Sequence, residues 1–366
     1  RIELQLTQDK SEFAWGSVVN AEMIVDPDYQ MYQDLFYDTF EWGVIGNKFK
    51  WRHMEWKRGT IDHETALTAT NAMLQKGIKV RGHCVFWGIE KNVPIWQTDL
   101  PDSEIKGTLE DRINDVIPIT KGLLEHWDVN NENVHGNYYE ERTGDVNITQ
   151  WMFREIHKRD PDVKLFLNDF SVVSSSNGGV SYYNQGKLFK EAGDVPIYGI
   201  GIQSHLNQHV DISVLRFRLN RIARLGLPIW ITELDISDWN VTSKAEYLED
   251  VLRLYFSHPS VEGVLLWGYW SGRIWKPAAA LATGPKDNIQ WNAAGERLRQ
   301  LIKSDWRTTA RRSMANGRVH VKAFRGDYTL EVLENGQPIH TEKVTLPKEG
   351  RKLQINLSND GNQMLI

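Results

Sequence analysis

The chain has 366 residues, 41% of them hydrophobic and 25% charged, and carries a net charge of −5. These values describe a globular chain, exclude a disordered one, and lack the basic footprint of a nucleic-acid binder. No apolar run reaches the ~18–20 residues of a membrane helix and no signal peptide begins at Arg1, so neither a membrane nor a nucleic acid is an expected partner.

In chain order, RIELQLT alternates apolar and polar residues and opens a strand-like segment over 1–12. Eight short apolar stretches follow: FAWGSVV (13–19), VIGNKFKW (44–51), KVRGHCVFW (79–87), HWDVNNE (126–132), KLFLNDF (164–170), GIGIQSH (199–205), PIWITELDI (228–236) and GVLLWGYW (263–270). Between them, ALTATNAMLQKG (66–77), TQWMFREIHKRD (149–160), VLRFRLNRIARLG (214–226) and AEYLEDVLRLYFSH (245–258) repeat apolar residues at three and four, the period of a helix. SSSNGG (174–179) reads as a flexible loop. Strand–helix alternation repeated eight times predicts an α/β fold, a (β/α)8 TIM barrel over 13–306. A doubly wound open sheet is the alternative, but no Gly-rich nucleotide turn follows the first strand.

Beyond Trp306 the pattern changes. RVHVKAF, DYTLEVLENG and KLQINLS alternate with period two, and Glu334–Asn335–Gly336 is a hairpin signal. They predict a small all-β appendage over 316–358, with the N-terminal segment a candidate partner for its sheet. From 316 on the aromatics are Phe324 and Tyr328, too few for a sugar-binding stripe, so a domain that packs is expected rather than a separate binding module.

The single cysteine, Cys84, lies in apolar VRGHCVFW, allows no intramolecular disulfide and reads as a core residue rather than a nucleophile. The 11 histidines are scattered without ligand spacing, so no metal is expected, and nothing points to a cofactor. Sequons at Asn147, Asn240 and Asn356 suit a secreted glycoprotein whose leader lies outside this numbering. Fifteen tryptophans exceed ordinary usage; core and rim packing accounts for many, and flat indole faces also suit sugar rings.

WDVNNE, LFLNDF, IQSH and ITELD all turn polar at their C-terminal ends, where barrel enzymes keep their sites. Two glutamates stand there, Glu132 and Glu233. Either alone reads as a solvated or ion-paired group. Together on facing strands they suit glycosidic bond cleavage, one protonating the leaving oxygen while the other attacks or activates water.

WDVNNENVHGNYY, GHCVFW, LNDF, GIGIQSH, WITELDI and VEGVLLWGYW resemble glycoside hydrolase family 10, the endo-β-1,4-xylanases, and especially its plant and animal branches. The resemblance runs in order over roughly residues 13–305, and more weakly through FRGDYTLEV. It implies retention of configuration, with Glu132 as acid/base, Glu233 as nucleophile and carboxyls about 5–5.5 Å apart. It implies that Asn131 bonds the 2-hydroxyl of the reacting sugar, that His205 bonds the nucleophile, and that Asp235 fixes that imidazole. His205 alone also reads as a satisfied core histidine. Asn47, Lys50, His83, Trp87 and Gln203 match sugar-binding positions, and Trp267 and Trp275 match the walls around the cleaved bond. Lys50 also reads as a surface lysine lying along Trp51.

The sequence departs from the bacterial pattern at Gly46, where a sugar-binding glutamate is common, at Gly88 in place of a histidine, and at Glu90 in place of a glutamine. The loop SGRIWKPAAALATG is also unusual. The expected substrate is xylan and the expected state a monomer. An endo-β-1,4-glucanase or dual enzyme, and a carbohydrate-binding protein without catalysis, are the alternatives. In such relatives sugar-binding modules often precede the barrel, so an upstream module is compatible with this resemblance.

Overall fold

The computed structural model describes residues 2–359 and 362–365. Eight strands form one ring: β1 (Ala14–Val19), β2 (Trp42–Ile45), β3 (Lys79–Gly82), β4 (His126–Asp128), β5 (Lys164–Asp169), β6 (Gly199–Ile202), β7 (Ile229–Ile236) and β8 (Val261–Leu266). The sheet runs β7-β8-β1-β2-β3-β4-β5-β6, and β6 pairs again with β7, which closes it. The strands pair in parallel from β1 through β8. This is a (β/α)8 barrel.

A parallel barrel strand is covered on both sides, which is why β7, IWITELDI, is buried at every position instead of alternating. Its interior is filled by bulky groups such as Trp42, Trp230, His126 and Phe166, whose rings interlock at centroid distances of 4.4–5.0 Å. The outer helices carry the complementary stripe. Ile212–Ala223 buries Leu215, Leu219 and Ile222, with Asp211 capping the Ser213 amide at its start. Val241–Ser257 is capped likewise by Asn240, so the side chain of that sequon is engaged in the fold. Asn147, by contrast, is exposed, and the side chains around Asn356 lie outside the described residues.

Several stretches expected as unbroken strands leave the ring early. β2, β3 and β4 stop at Ile45, Gly82 and Asp128, and their polar continuations turn into the mouth. The SSSNGG loop is also shorter than its composition suggests, because Gly178 and Gly179 begin the helix Gly178–Glu191. A Cβ on Gly178 would collide with the Ser171 carbonyl, so glycine serves close backbone approach there.

Residues 1–14 and 298–366 form a second compact unit. Its sheet is antiparallel, in the order Thr309–Ser313, Ile2–Ser11, Gly326–Glu334, Gln337–Leu346. Of the segments expected over 1–12 and 316–358, Ile2–Ser11, Gly326–Glu334 and Gln337–Leu346 share this sheet, Asn356–Asn359 pairs instead with Asn362–Leu365, and Thr309–Ser313, expected in neither, forms one edge. Asn335 and Gly336 turn the hairpin with φ of 49° and 84°, the left-handed pair of a type I′ turn. Leu4, Leu6, Tyr328, Leu330, Val332 and Val344 form the core. RVHVKAF was expected as a strand but makes no ladder; its alternation survives as burial, with Val319, Val321 and Ala323 packed on that core.

In the barrel, Gly82 lies against the Trp127 ring with no room for a Cβ. We expect Gly82→Ala to lower stability by about 1–3 kcal/mol through overpacking, read as a lower midpoint of urea unfolding.

Candidate active site

The sharp change from WDV to NNE has a structural cause. β4 carries His126, Trp127 and Asp128 inside the barrel, and the chain then runs Asn130–Asn131 beside Phe86–Trp87 before turning at Glu132. Asn130 and Asn131 are each 1% exposed, so these amides are buried functional groups rather than a solvated loop. Glu132 adopts a left-handed φ of 59°, costly for a side-chain-bearing residue. Its amide donates to the Asn168 carbonyl (2.9 Å), and Asp169 secures the next turn by accepting from the Val134 amide (2.8 Å) and His135 Nδ1 (2.6 Å).

Below the mouth lies a buried charged layer. Arg81 pairs with Asp128 and bonds His126 Nδ1 at 3.0 Å, and Asp128 Oδ2 lies 2.8 Å from His83 Nδ1. Burial disfavours the Asp128 charge, yet Arg81 and His83 hold its pKa below the usual range. Burial, with Arg81 beside it, pushes His126 well below its usual pKa, so that ring is neutral. His83 Nε2 then stands 4.0 Å from Glu233 Oε1, linking this layer to the mouth.

The two candidate carboxylates meet different surroundings. Glu233, on β7 and 4% exposed, accepts Asn168 Nδ2 on Oε1 (3.0 Å) and faces His205 Nε2 with Oε2 (3.1 Å). Glu132 accepts Trp87 Nε1 on Oε2 (2.8 Å) and Gln203 Nε2 on Oε1 (3.1 Å). Burial and the nearby Glu233 raise the Glu132 pKa, outweighing the indole and amide donors that lower it. His205 is gripped from both sides, with Nδ1 2.6 Å from Asp235 Oδ2. Burial opposes its charge, but the bonds to Asp235 and Glu233 prevail and raise its pKa to about 9. At neutral pH it is an imidazolium donating from both nitrogens.

The remaining expected residues surround this pair. Lys50 does not lie along Trp51: its ammonium is 4.8 Å from the Trp87 ring centre, 5.9 Å from that of Trp267 and 3.1 Å from Asn47 Oδ1. Burial lowers its pKa. Trp267 meets His83 edge-on at 5.1 Å, and Trp275, 57% exposed, stands 4.9 Å from the His205 ring while donating to Asp235 at 2.8 Å. Gln203, expected as a sugar contact, directs its Nε2 to Glu132 and Asn131. Asn131 has the free donor: Nδ2 is buried with no hydrogen-bond partner among the described residues, while Oδ1 accepts from Asn168 at 2.9 Å.

Two participants escaped sequence reading. Asn168 spans Asn131 and Glu233 and is itself oriented by Thr232 Oγ1 (2.5 Å); its signal was the Asn ending LFLN. Lys276 reaches Asp235 at 3.4 Å and Asn207 at 2.9 Å, which no local pattern announces. Gly88 has a steric reason: a Cβ there would sit 2.6 Å from the Gly136 carbonyl, so the histidine of other sequences does not fit this backbone. Cys84 is 1% exposed and burial drives its thiol pKa far upward, consistent with an inert core residue.

The model of Glycosyl hydrolase family 10 matches residues 4–297. The chain is 33% identical to endo-1,4-beta-xylanase 3 of Arabidopsis thaliana over 332 residues, covering 90% of this chain and 43% of that protein. It is 32% identical to an anti-sigma-I factor of Acetivibrio thermocellus over 344 residues, covering 93% and 44% respectively. The chain thus spans under half the length of these curated relatives. In fold it resembles xylanase 10B of Thermotoga petrophila, solved in complex with xylobiose, with a TM-score of 0.72, 24% identity, and coverage of 80% of this chain and 95% of that one.

The grip on His205 has a measurable consequence. Its folded pKa of about 9 exceeds the ordinary 6.5, so its contribution to stability is complete below about pH 6.5 and disappears as pH rises through about 9. In Asp235→Asn we expect its NMR titration midpoint to move down toward the ordinary value, with the high-pH loss of stability moving down as well.

Proposed function

The chain belongs to glycosyl hydrolase family 10, and we propose that it is a retaining endo-β-1,4-xylanase in which Glu132 is the acid/base and Glu233 the nucleophile. The supporting observation is the asymmetry between two carboxylates in one mouth. Glu132 meets only the neutral donors Trp87 and Gln203 and has its pKa raised by burial and its neighbour; Glu233 meets Asn168 and a charged imidazole.

In the first step Glu132 gives its proton to the glycosidic oxygen as a Glu233 oxygen attacks the anomeric carbon. The bond to the leaving sugar breaks, and a glycosyl ester to Glu233 forms. Glu132, now ionised, takes a proton from water, which attacks the same carbon and releases Glu233. Trp87 and Gln203 aim Glu132 through this exchange, and His205 holds the Glu233 oxygen that does not attack. The free Nδ2 of Asn131 is available to the 2-hydroxyl of the reacting sugar, a contact that strengthens as positive charge develops on the ring.

A polysaccharide-binding barrel without turnover is the alternative reading of the same groove. Retention of both carboxylates with their donors favours turnover. An endo-β-1,4-glucanase would share this chemistry, and initial rates on xylan and carboxymethyl cellulose separate the two.

Reducing ends released from xylan test the roles. Glu132→Gln should lower kcat by about 10²–10⁴-fold, and Glu233→Ala by on the order of 10⁴-fold or more; undiminished release by both variants would overturn the assignment. NMR of the first product should show the β-anomer.

The pH profile carries a second expectation. Activity requires the Glu132 proton, so it falls as pH rises through that residue's raised pKa. Because the Trp87 bond favours the ionised form, Trp87→Phe should move the alkaline limb of kcat to higher pH.

A further inference from the structure

We infer that the groove leading away from the two carboxylates is a subsite for an acidic substituent on the polysaccharide chain, with Arg273 as its carboxylate-binding residue. This rests on the reading of xylan as the backbone and adds the chemistry of its branch.

The groove begins at the catalytic mouth, where Lys50, Trp267 and Trp275 form its walls, and extends past Gly46, Lys48 and Arg273 with a volume of about 680 Å³. That is within the ~300–1,000 Å³ typical of small-ligand sites. Three basic side chains, Lys48, Lys50 and Arg273, line it against a single carboxylate, Glu22. Lys48 bonds that carboxylate at 2.8 Å, and Lys50 is engaged by Asn47 and two indole rings. His53 also lines the groove, and burial with its cationic neighbours lowers its pKa, so it adds no charge at neutral pH.

Arg273 is different. It is exposed, and among the described residues its guanidinium has no hydrogen-bonded carboxylate partner. A planar fork of donors at the edge of a groove matches a carboxylate, which it binds by two parallel bonds. A chain with a net charge of −5 otherwise disfavours anions, so this local excess of cations is a specificity device rather than a property of the whole surface.

The test measures binding by calorimetry on the full chain carrying Glu233→Gln, which stops turnover. The probes are an unbranched xylo-oligosaccharide, the same chain with one glucuronosyl branch, and the same chain with one neutral arabinosyl branch. We expect the acidic branch to improve Kd about ten-fold over the unbranched chain, the size of one charge-assisted contact. That ratio should fall toward one in Arg273→Gln, persist in part in Arg273→Lys, and shrink as salt is raised. A ratio near one before substitution, an equal gain from the arabinosyl branch, or a ratio insensitive to Arg273→Gln would each overturn the inference. The xylanase reading fails separately: an Arg273-dependent preference with no reducing ends released from xylan by the unsubstituted chain would overturn that reading and leave the subsite standing.

Discussion

Two carboxyl groups brought into one shielded mouth cannot share the same protonation preference without a large electrostatic cost, and much of this barrel is arranged around that constraint. Burial raises the cost of both charges. The structure resolves it by setting a charged imidazole against Glu233 and only neutral donors against Glu132, which also feels its neighbour's field. His205 is central because it carries positive charge to Glu233 while Asp235 balances that charge behind it. Asp235 in turn is bonded by Trp275 and approached by Lys276, so the chain of compensation ends at the surface.

The layer beneath explains why the mouth is firm. Arg81 and Asp128 neutralise one another inside the barrel while His83 bonds the same carboxylate, so losing Arg81 or Asp128 would strand a charge where water does not reach. This network holds His83 under Glu233 and Trp267. Asn168 performs a similar service without charge: its amide joins Asn131 to Glu233, so the proposed nucleophile and the proposed 2-hydroxyl contact are set by one side chain. Where groups are already satisfied, as at Gln203, they orient their neighbours; the unsatisfied Asn131 amide and Arg273 are what remains for a ligand.

Much of this was legible in the sequence, and for identifiable reasons. Period-two and period-3.6 patterns marked the barrel because a strand covered on both faces and a helix covered on one have different hydrophobic repeats. Glu132, Glu233 and Asn131 stood out because polar groups directly after a buried strand need a purpose. Long-range pairing was less legible. Lys276 and Asp235 lie 41 residues apart, and only the closed ring brings them together. Glycines misled in both directions: Gly178 resembled a loop and begins a helix, while Gly88 resembled a lost functional side chain and marks close passage of another backbone. RVHVKAF shows that alternation reports which side chains are buried, not whether the backbone joins a ladder.

The strand Ile2–Ser11 pairs with Gly326–Glu334, more than 300 residues downstream. During synthesis its amides therefore wait for most of the polypeptide to leave the ribosome before they find their partners, whereas the barrel strands meet in sequence order. That second unit is consequently the last to close, and the strand Ile2–Ser11, whose Leu4 and Leu6 belong to its core, stays unpaired throughout the assembly of the ring.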